Sequence, residues 1–215
     1  MKYLYIDTSS AYLYTGIVED NNLLIEKKEF LEHNLSKESL FIVSKMFEEA
    51  NIKVDDIDKI LVVTGPGSFT GIRVGLTFAK VYAWAKNIPI IGVSSLEAMA
   101  VSSDIDTNKV PMLNARRECV YTAVYSKEND VIFEPKHIKI SDFNNQLEKL
   151  DNYQIISNDE EITMDKIPYN PNILEIVNHF KDREETNPHE LNPTYLKNTA
   201  AEEALNDSRD NEEQY

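Results

Sequence analysis

The residues with the most evident chemical potential are Gly65-Pro66-Gly67-Ser68-Phe69-Thr70-Gly71-Ile72-Arg73-Val74-Gly75, which gather four of the chain's six glycines. A glycine-rich turn between a strand and a helix aims backbone N–H groups and the positive helix end at one point, a cradle for an anion. The named phosphate motifs do not fit. The Gly-Lys-Ser/Thr ending of a phosphate-binding loop is missing, and no lysine stands between Lys59 and Lys80. The glycine spacing is one residue off the dinucleotide fingerprint, and the next strand ends on Ser94 rather than on the acid a ribose needs. Ser68 does not sit in Gly-x-Ser-x-Gly, so it is no nucleophile elbow. On spacing alone, tight backbone packing is the better reading.

Other reactive groups are sparse. Asp7, Thr8 and Ser9 close the first strand and are ordinary turn residues as well as oxygen donors. His33, His137, His179 and His189 include no pair at i and i+4, and Cys119 is the single cysteine, which excludes a disulfide scaffold and a cysteine zinc cluster. Glu97 is read as stabilising the first turn of its helix rather than as an acid or base. Arg116-Arg117 reads as a salt-bridged surface pair in preference to a phosphate site.

The 215 residues carry 22 basic against 37 acidic side chains, a net charge of −15. Such a surface repels phosphate backbones, so autonomous nucleic-acid binding is not expected as the main activity. Residues 201–215 hold six acids, one arginine and a single large aliphatic, and are expected to form an acidic disordered tail. The opening residues leave no room for a secretory leader, and no run reaches the roughly 18 apolar residues of a membrane span. The expectation is a soluble cytoplasmic protein.

These groups need a framework. Residues 3–6, 13–18 and 23–28 read as an antiparallel meander, turned by Glu19-Asp20-Asn21-Asn22. Residues 36–50 carry Leu40, Val43, Phe47 and Ala50 at helical spacing, with Ser36 as N-cap and Asn51 as stop. A buried strand at 60–63 feeds the glycine turn and a helix over 70–86, followed by a strand at 88–93 and a helix from Ser94 or Ser95. The order βββαβα predicts an α/β fold with a mixed sheet. A polar stretch at 104–109 marks a boundary, followed by strands at 110–114, 119–125 and 155–157 and helices at 141–150 and 172–180, the remainder wrapping back as loop. Along the 70–86 helix, Gly71, Gly75, Ala79 and Ala83 recur every fourth residue and draw a small-residue stripe that admits another helix, either from within the chain or from a partner. The bulky neighbours make this helix apolar nearly all round.

With these strings in view, the chain resembles the bacterial TsaB (YeaZ) family, a subunit of the machinery that makes N6-threonylcarbamoyladenosine at position 37 of tRNA. The resemblance is carried by Asp7-Thr8-Ser9, Val63-Thr64 with the whole glycine string, Gly92-Val93-Ser94-Ser95-Leu96-Glu97-Ala98 and Ala115-Arg116-Arg117. It covers the first 125 residues and returns at Pro193-Thr194-Tyr195-Leu196-Lys197. Asn114 and Lys197 depart from the family pattern, which has Asp and Arg there.

The resemblance implies an actin/Hsp70/sugar-kinase-like (ASKHA) fold with two subdomains of related topology, placed at 1–105 and 106–200, each begun by a three-stranded meander. It implies a noncatalytic dimerisation subunit that supports the catalytic paralogue TsaD, in a complex with the ATPase subunit TsaE, for threonylcarbamoyl transfer to tRNAs reading codons that begin with A. The alternative is an independent ATPase or metalloprotease-like enzyme. Docking is expected through Leu40, Val43, Phe47 and the Gly71, Gly75, Ala79, Ala83 stripe, and a homodimer is expected when the chain is alone. Asp7, Thr8 and Ser9 stand where fold relatives hold ATP phosphates and magnesium, here a degenerate site. No cofactor is expected to bind this chain tightly, ATP or ADP belonging to the interface with TsaD. The paralogue's metal-binding His-Leu-Glu-Gly-His is replaced here by Ser95-Leu96-Glu97-Ala98-Met99, so a metal site is not expected. Contact with tRNA is expected largely through the partners.

Overall fold

The computed structural model describes residues 1–197, and the expected tail over 201–215 lies outside the described residues. Strands β1 (Lys2–Asp7), β2 (Tyr12–Glu19) and β3 (Asn22–Phe30) form the expected meander. Its second turn, between β2 and β3, is made by Asp20 and Asn21, both with positive φ, a conformation these two residue types tolerate best after glycine. The chain continues through α1 (Leu35–Ala50), β4 (Lys59–Gly65), α2 (Phe69–Lys86), β5 (Ile90–Ser94) and α3 (Ser95–Val101). Left-handed Asn51 and Asn87 terminate α1 and α2. The N-cap expectation at Ser36 shifts: a 3₁₀ turn, Glu32–Asn34, leads into α1, so Asn34 takes the cap position.

A second set follows: β6 (Asn108–Asn114), β7 (Cys119–Tyr125), β8 (Val131–Lys139), α4 (Ile140–Leu147), β9 (Tyr153–Ile156), β10 (Lys166–Ile167) and α5 (Ile173–Phe180). The first sheet runs β3-β2-β1-β4-β5 and the second β8-β7-β6-β9-β10, so the second repeats the first strand for strand. In both, the meander is antiparallel and the two later strands lie parallel to its first strand. This is the two-sheet architecture of the actin-like fold. Strand β8 has no counterpart in the expected elements. It is an edge strand with Pro135 and four charged or imidazole side chains, so its apolar alternation is weak.

Side chains alternate across β1 and β4. Leu4, Ile6, Ile60 and Val62 pack under α1 and α2, with Val43, Phe47, Leu76 and Ala79. Tyr3, Tyr5, Leu61 and Val63 face the other way and meet Ile173, Ile176, Val177 and Phe180 of α5. That contact corrects the continuous 106–200 division: α5 follows the second sheet in sequence but covers the first. An apolar side chain buried in this way contributes about 1.5–3 kcal/mol, and four on one helix are enough to hold it there. The segment beyond α5 stays on the first sheet, with Thr186 bridged to Ile90 and the Thr194 amide donating to the Thr64 carbonyl at 2.8 Å.

Candidate functional site

The glycine turn closes onto the end of β1. The Ser68 amide donates to the Ser9 carbonyl at 2.7 Å, and Ser68 then caps α2 by accepting from the Gly71 amide at 3.2 Å. The Thr8 hydroxyl donates to the Gly71 carbonyl at 2.7 Å and accepts from the Gly75 amide at 3.1 Å. Ser95 at the start of α3 donates to the Pro66 carbonyl at 2.5 Å. A Cβ on Gly67, Gly71 or Gly75 would come within 3.0 Å of Ser9 or Thr8 atoms, and Gly67 also has φ +152. Two of the N–H groups that an anion cradle would need, those of Ser68 and Gly71, are thus spent inside the fold. The glycines at 67, 71 and 75 exist to let the β1 turn seat against α2, which bears out the packing reading of this segment.

The small-residue stripe is internal along its whole length. Gly71 and Gly75 meet Thr8, while Ala79 and Ala83 join the cluster that includes Val43 and Phe47 of α1. Of the side chains expected at a partner interface, only Leu40 is exposed; Val43, Phe47, Gly71, Gly75, Ala79 and Ala83 are buried within the chain. This is a correction: a partner reaching those six would have to open the core.

What α2 shows to solvent is another stripe, Phe69, Arg73, Thr77, Val81 and Trp84, with Trp84 65% and Phe69 56% exposed. Arg73 lies 3.6 Å from the Phe69 ring centroid and donates from Nε to the Tyr195 hydroxyl at 3.0 Å, while Phe69 and Tyr195 stack at 5.6 Å. Leu40 and Phe41 are exposed on neighbouring α1. Sequence reasoning missed this stripe because the helix is apolar on several faces; its one legible signal is an aromatic at each end, Phe69 and Trp84, at i and i+15.

Between the two sheets lies a cleft. One cavity of about 480 Å³ is lined by Asp7, Ser9, Tyr12, Tyr14 and Ser95 on one side and Asn158, Asp159 and Tyr169 on the other. A neighbouring cavity of about 610 Å³ is lined by Ser68, Thr70, Arg116 and Lys197. Arg116 and Arg117 sit on the β6–β7 turn with φ of 63° and 51°, and Arg116 lines this second cavity. Asp7 is 3% exposed; burial pushes its carboxyl up, against the amide of Ser9, which donates to Oδ1 at 2.8 Å, and the Tyr5 hydroxyl. Met99, 2% exposed, packs in an apolar cluster with Leu96 and Tyr125. Among the described residues no group of three His, Cys, Asp or Glu side chains is arranged to hold a metal ion.

Glu97 does more than support its own helix turn. His179 Nε2 lies 2.9 Å from Glu97 Oε1, and Arg183 NH1 donates to Oε2 at 2.9 Å, tying α3 to α5 and to the segment that follows it. Burial pushes the Glu97 carboxyl up, but these hydrogen bonds and the Arg183 charge outweigh it and hold the group below its ordinary value.

Comparison with known proteins agrees with this geometry. The family model described as TsaD: tRNA N6-adenosine threonylcarbamoyltransferase matches residues 29–180. The tRNA threonylcarbamoyladenosine biosynthesis protein TsaB of Bacillus subtilis (strain 168) is 29% identical, over 94% of this chain and 96% of that protein. Two solved Pseudomonas aeruginosa structures share the fold. YeaZ superposes with a TM-score of 0.72 at 16% identity, covering 90% of this chain and 100% of that one. An uncharacterized protein with similarity to peptidase YEAZ gives 0.75 at 17%, covering 91% and 99%. The chain belongs to the family described as TsaD: tRNA N6-adenosine threonylcarbamoyltransferase, and among its relatives it is similar along nearly its whole length to bacterial TsaB.

Proposed function

We propose that this chain is the noncatalytic docking subunit of tRNA threonylcarbamoyladenosine biosynthesis, and that it binds the catalytic paralogue TsaD through the solvent face of α2 and the adjoining face of α1. The observation that carries the reading is the exposed Phe69-Arg73-Thr77-Val81-Trp84 stripe, extended by Tyr195, Leu40 and Phe41. Large aromatics and an arginine held in place by stacking are the residue types that anchor interfaces. The noncatalytic part of the proposal is supported by Ser95 and Met99, which fill the paralogue's metal-binding positions with a hydroxyl committed to Pro66 and a buried thioether. The same face can pair with itself, giving a homodimer when TsaD is absent. The net charge of −15 supports a reading in which tRNA contact is made largely by the partners, with ATP hydrolysis assigned to TsaE and nucleotide to the shared interface. The setting is the cytoplasm.

The test mixes the chain with TsaD of the same organism and compares wild type with Trp84→Glu and Val81→Asp by size exclusion, titration and reconstitution of modified tRNA. Both positions are exposed, so circular dichroism and melting should be unchanged while complex affinity falls at least tenfold and product falls with it. Unchanged affinity in both variants overturns the docking face. Robust hydrolysis of ATP or a glycoprotein by the isolated chain, abolished by Asp7→Ala, overturns the noncatalytic reading.

A further inference from the structure

The cavity of about 480 Å³ between the sheets is within the size range of small-molecule sites. Two features of its lining stand out. Four rings form one continuous aromatic wall: Phe30 lies 5.0 Å from Tyr12, Tyr12 stacks on Tyr14 at 5.4 Å, and Tyr14 meets Tyr169 edge-on at 5.7 Å. Carboxylates stand on both sides, Asp7 on one and Asp159, Glu160 and Glu161 on the other, among serines, Asn158, Met99 and Leu113.

No lysine, arginine or histidine is among the described residues that line this cavity. Lys166, whose charge reaches Asp159, turns its ammonium onto the carbonyls of Asp159 and Ile162. Arg116 and Lys197 line the neighbouring cavity instead. Asp7 is therefore a carboxylate only 3% exposed to solvent with a backbone amide and a tyrosine hydroxyl for partners but, among the described residues, no cation, an arrangement that costs stability unless a positive charge is supplied. Beside it lies the buried hydroxyl of Tyr169, close to the hydroxyls of Tyr5 and Ser102.

We infer that this cavity binds a small organic cation, an ammonium ion seated between Asp7 and the Tyr12-Tyr14-Tyr169 wall. Ring faces and a desolvated carboxylate both attract such an ion, and each is worth more away from water. A nucleotide is the wrong ligand here, since its phosphates would face the carboxylates. A bare divalent metal is also a poor match, because no three carboxylates converge among the described residues. The site does not depend on docking to TsaD, so the two readings fail separately.

The experiment uses the full chain, labelled with ¹⁵N, at 150 mM salt, titrated in separate arms with tetramethylammonium, 1,4-diaminobutane, magnesium chloride and magnesium ATP. Saturable amide shifts confined to residues 7–14 and 158–169 are expected with either amine. Asp7→Asn and Tyr12→Leu should each weaken that binding at least tenfold, whereas Glu48→Gln on exposed α1 should leave it unchanged. Asp7→Asn keeps the shape and the acceptor for the Ser9 amide, and Tyr12 is only part-buried, so a folded spectrum is expected from both. The inference is overturned by no saturable shift with either amine at 20 mM, by equal binding in Asp7→Asn and Glu48→Gln, or by magnesium or magnesium ATP giving the same shifts in place of the amines.

Discussion

The hydroxyl of Thr8 bridges Gly71 and Gly75, donating to the carbonyl of one at 2.7 Å and accepting from the amide of the other at 3.1 Å, the two groups an α-helix pairs at i and i+4. The turn after β1 is thereby wired into the first turns of α2, and a Cβ on either glycine would collide with Thr8. Gly75→Ala should cost about 1–3 kcal/mol by overpacking in a rigid setting. Thr8→Ala should cost about 1–2 kcal/mol for lost hydrogen bonds. The double variant should be less destabilised than the sum, because removing the hydroxyl makes room for the methyl. Urea denaturation of the four proteins measures the coupling; strict additivity would show that the contact is not the reason for the glycine.

Arg73 ties Phe69 and Tyr195 into one exposed stacked cluster, using stacking against the first and a hydrogen bond to the second. Lysine preserves the charge but neither the planar stack nor the Nε donor. Arg73→Lys should leave the melting temperature within error, since the group is on the surface, and weaken the complex with TsaD about three- to tenfold through a faster off-rate. Surface plasmon resonance separates the two rates, and an unchanged off-rate would remove Arg73 from the docking face.

The Glu97 carboxylate is the anchor for both His179 and Arg183. Its folded pKa is depressed, so its contribution is present above the ordinary carboxylate value and is lost as pH falls through the folded value. Glu97→Gln should cost about 1 kcal/mol at pH 7, a charge-assisted bond discounted for the part-exposed Arg183. The difference from wild type should shrink as pH falls below the ordinary carboxylate range and through the depressed folded value, where Glu97 becomes neutral like the glutamine. Denaturation midpoints at pH 7, 5 and 3.5 check the slope, and a constant difference would assign the loss to packing.

The first half of the fold is legible because its signals agree: alternating meander strands, Asn stops and a glycine string bounded by a buried strand. Strand β8 is not, because an edge strand with Pro135 and charged residues carries little apolar alternation. The place of α5 is not either. Ile173, Ile176, Val177 and Phe180 announce a buried helix face, but nothing local says that the first sheet, and not the adjacent second one, will cover it. At the candidate interface, periodicity picked out the small residues, which point inward. Exposed Phe69, Val81 and Trp84 resemble core residues in composition, and only their contacts distinguish them.

Asp7 supplies the last expectation. Burial raises its carboxyl in the folded chain, opposed by the Ser9 amide and the Tyr5 hydroxyl, so the folded state holds its proton to higher pH than the unfolded state does. Stability from this group is present below the ordinary carboxylate value and falls as pH rises through the raised one. Asp7→Asn removes the charge while keeping the acceptor for Ser9, and should stabilise the chain at pH 7 by about 1 kcal/mol, the scale of a typical single substitution. The gain should vanish near pH 3.5, where wild-type Asp7 is protonated in both states. An ammonium ligand should stabilise wild type and not the variant, by mass action. Thermal melts at two pH values, with and without 20 mM 1,4-diaminobutane, read both effects. A variant less stable than wild type at pH 7 would show that the Asp7 charge has a compensating partner within the fold.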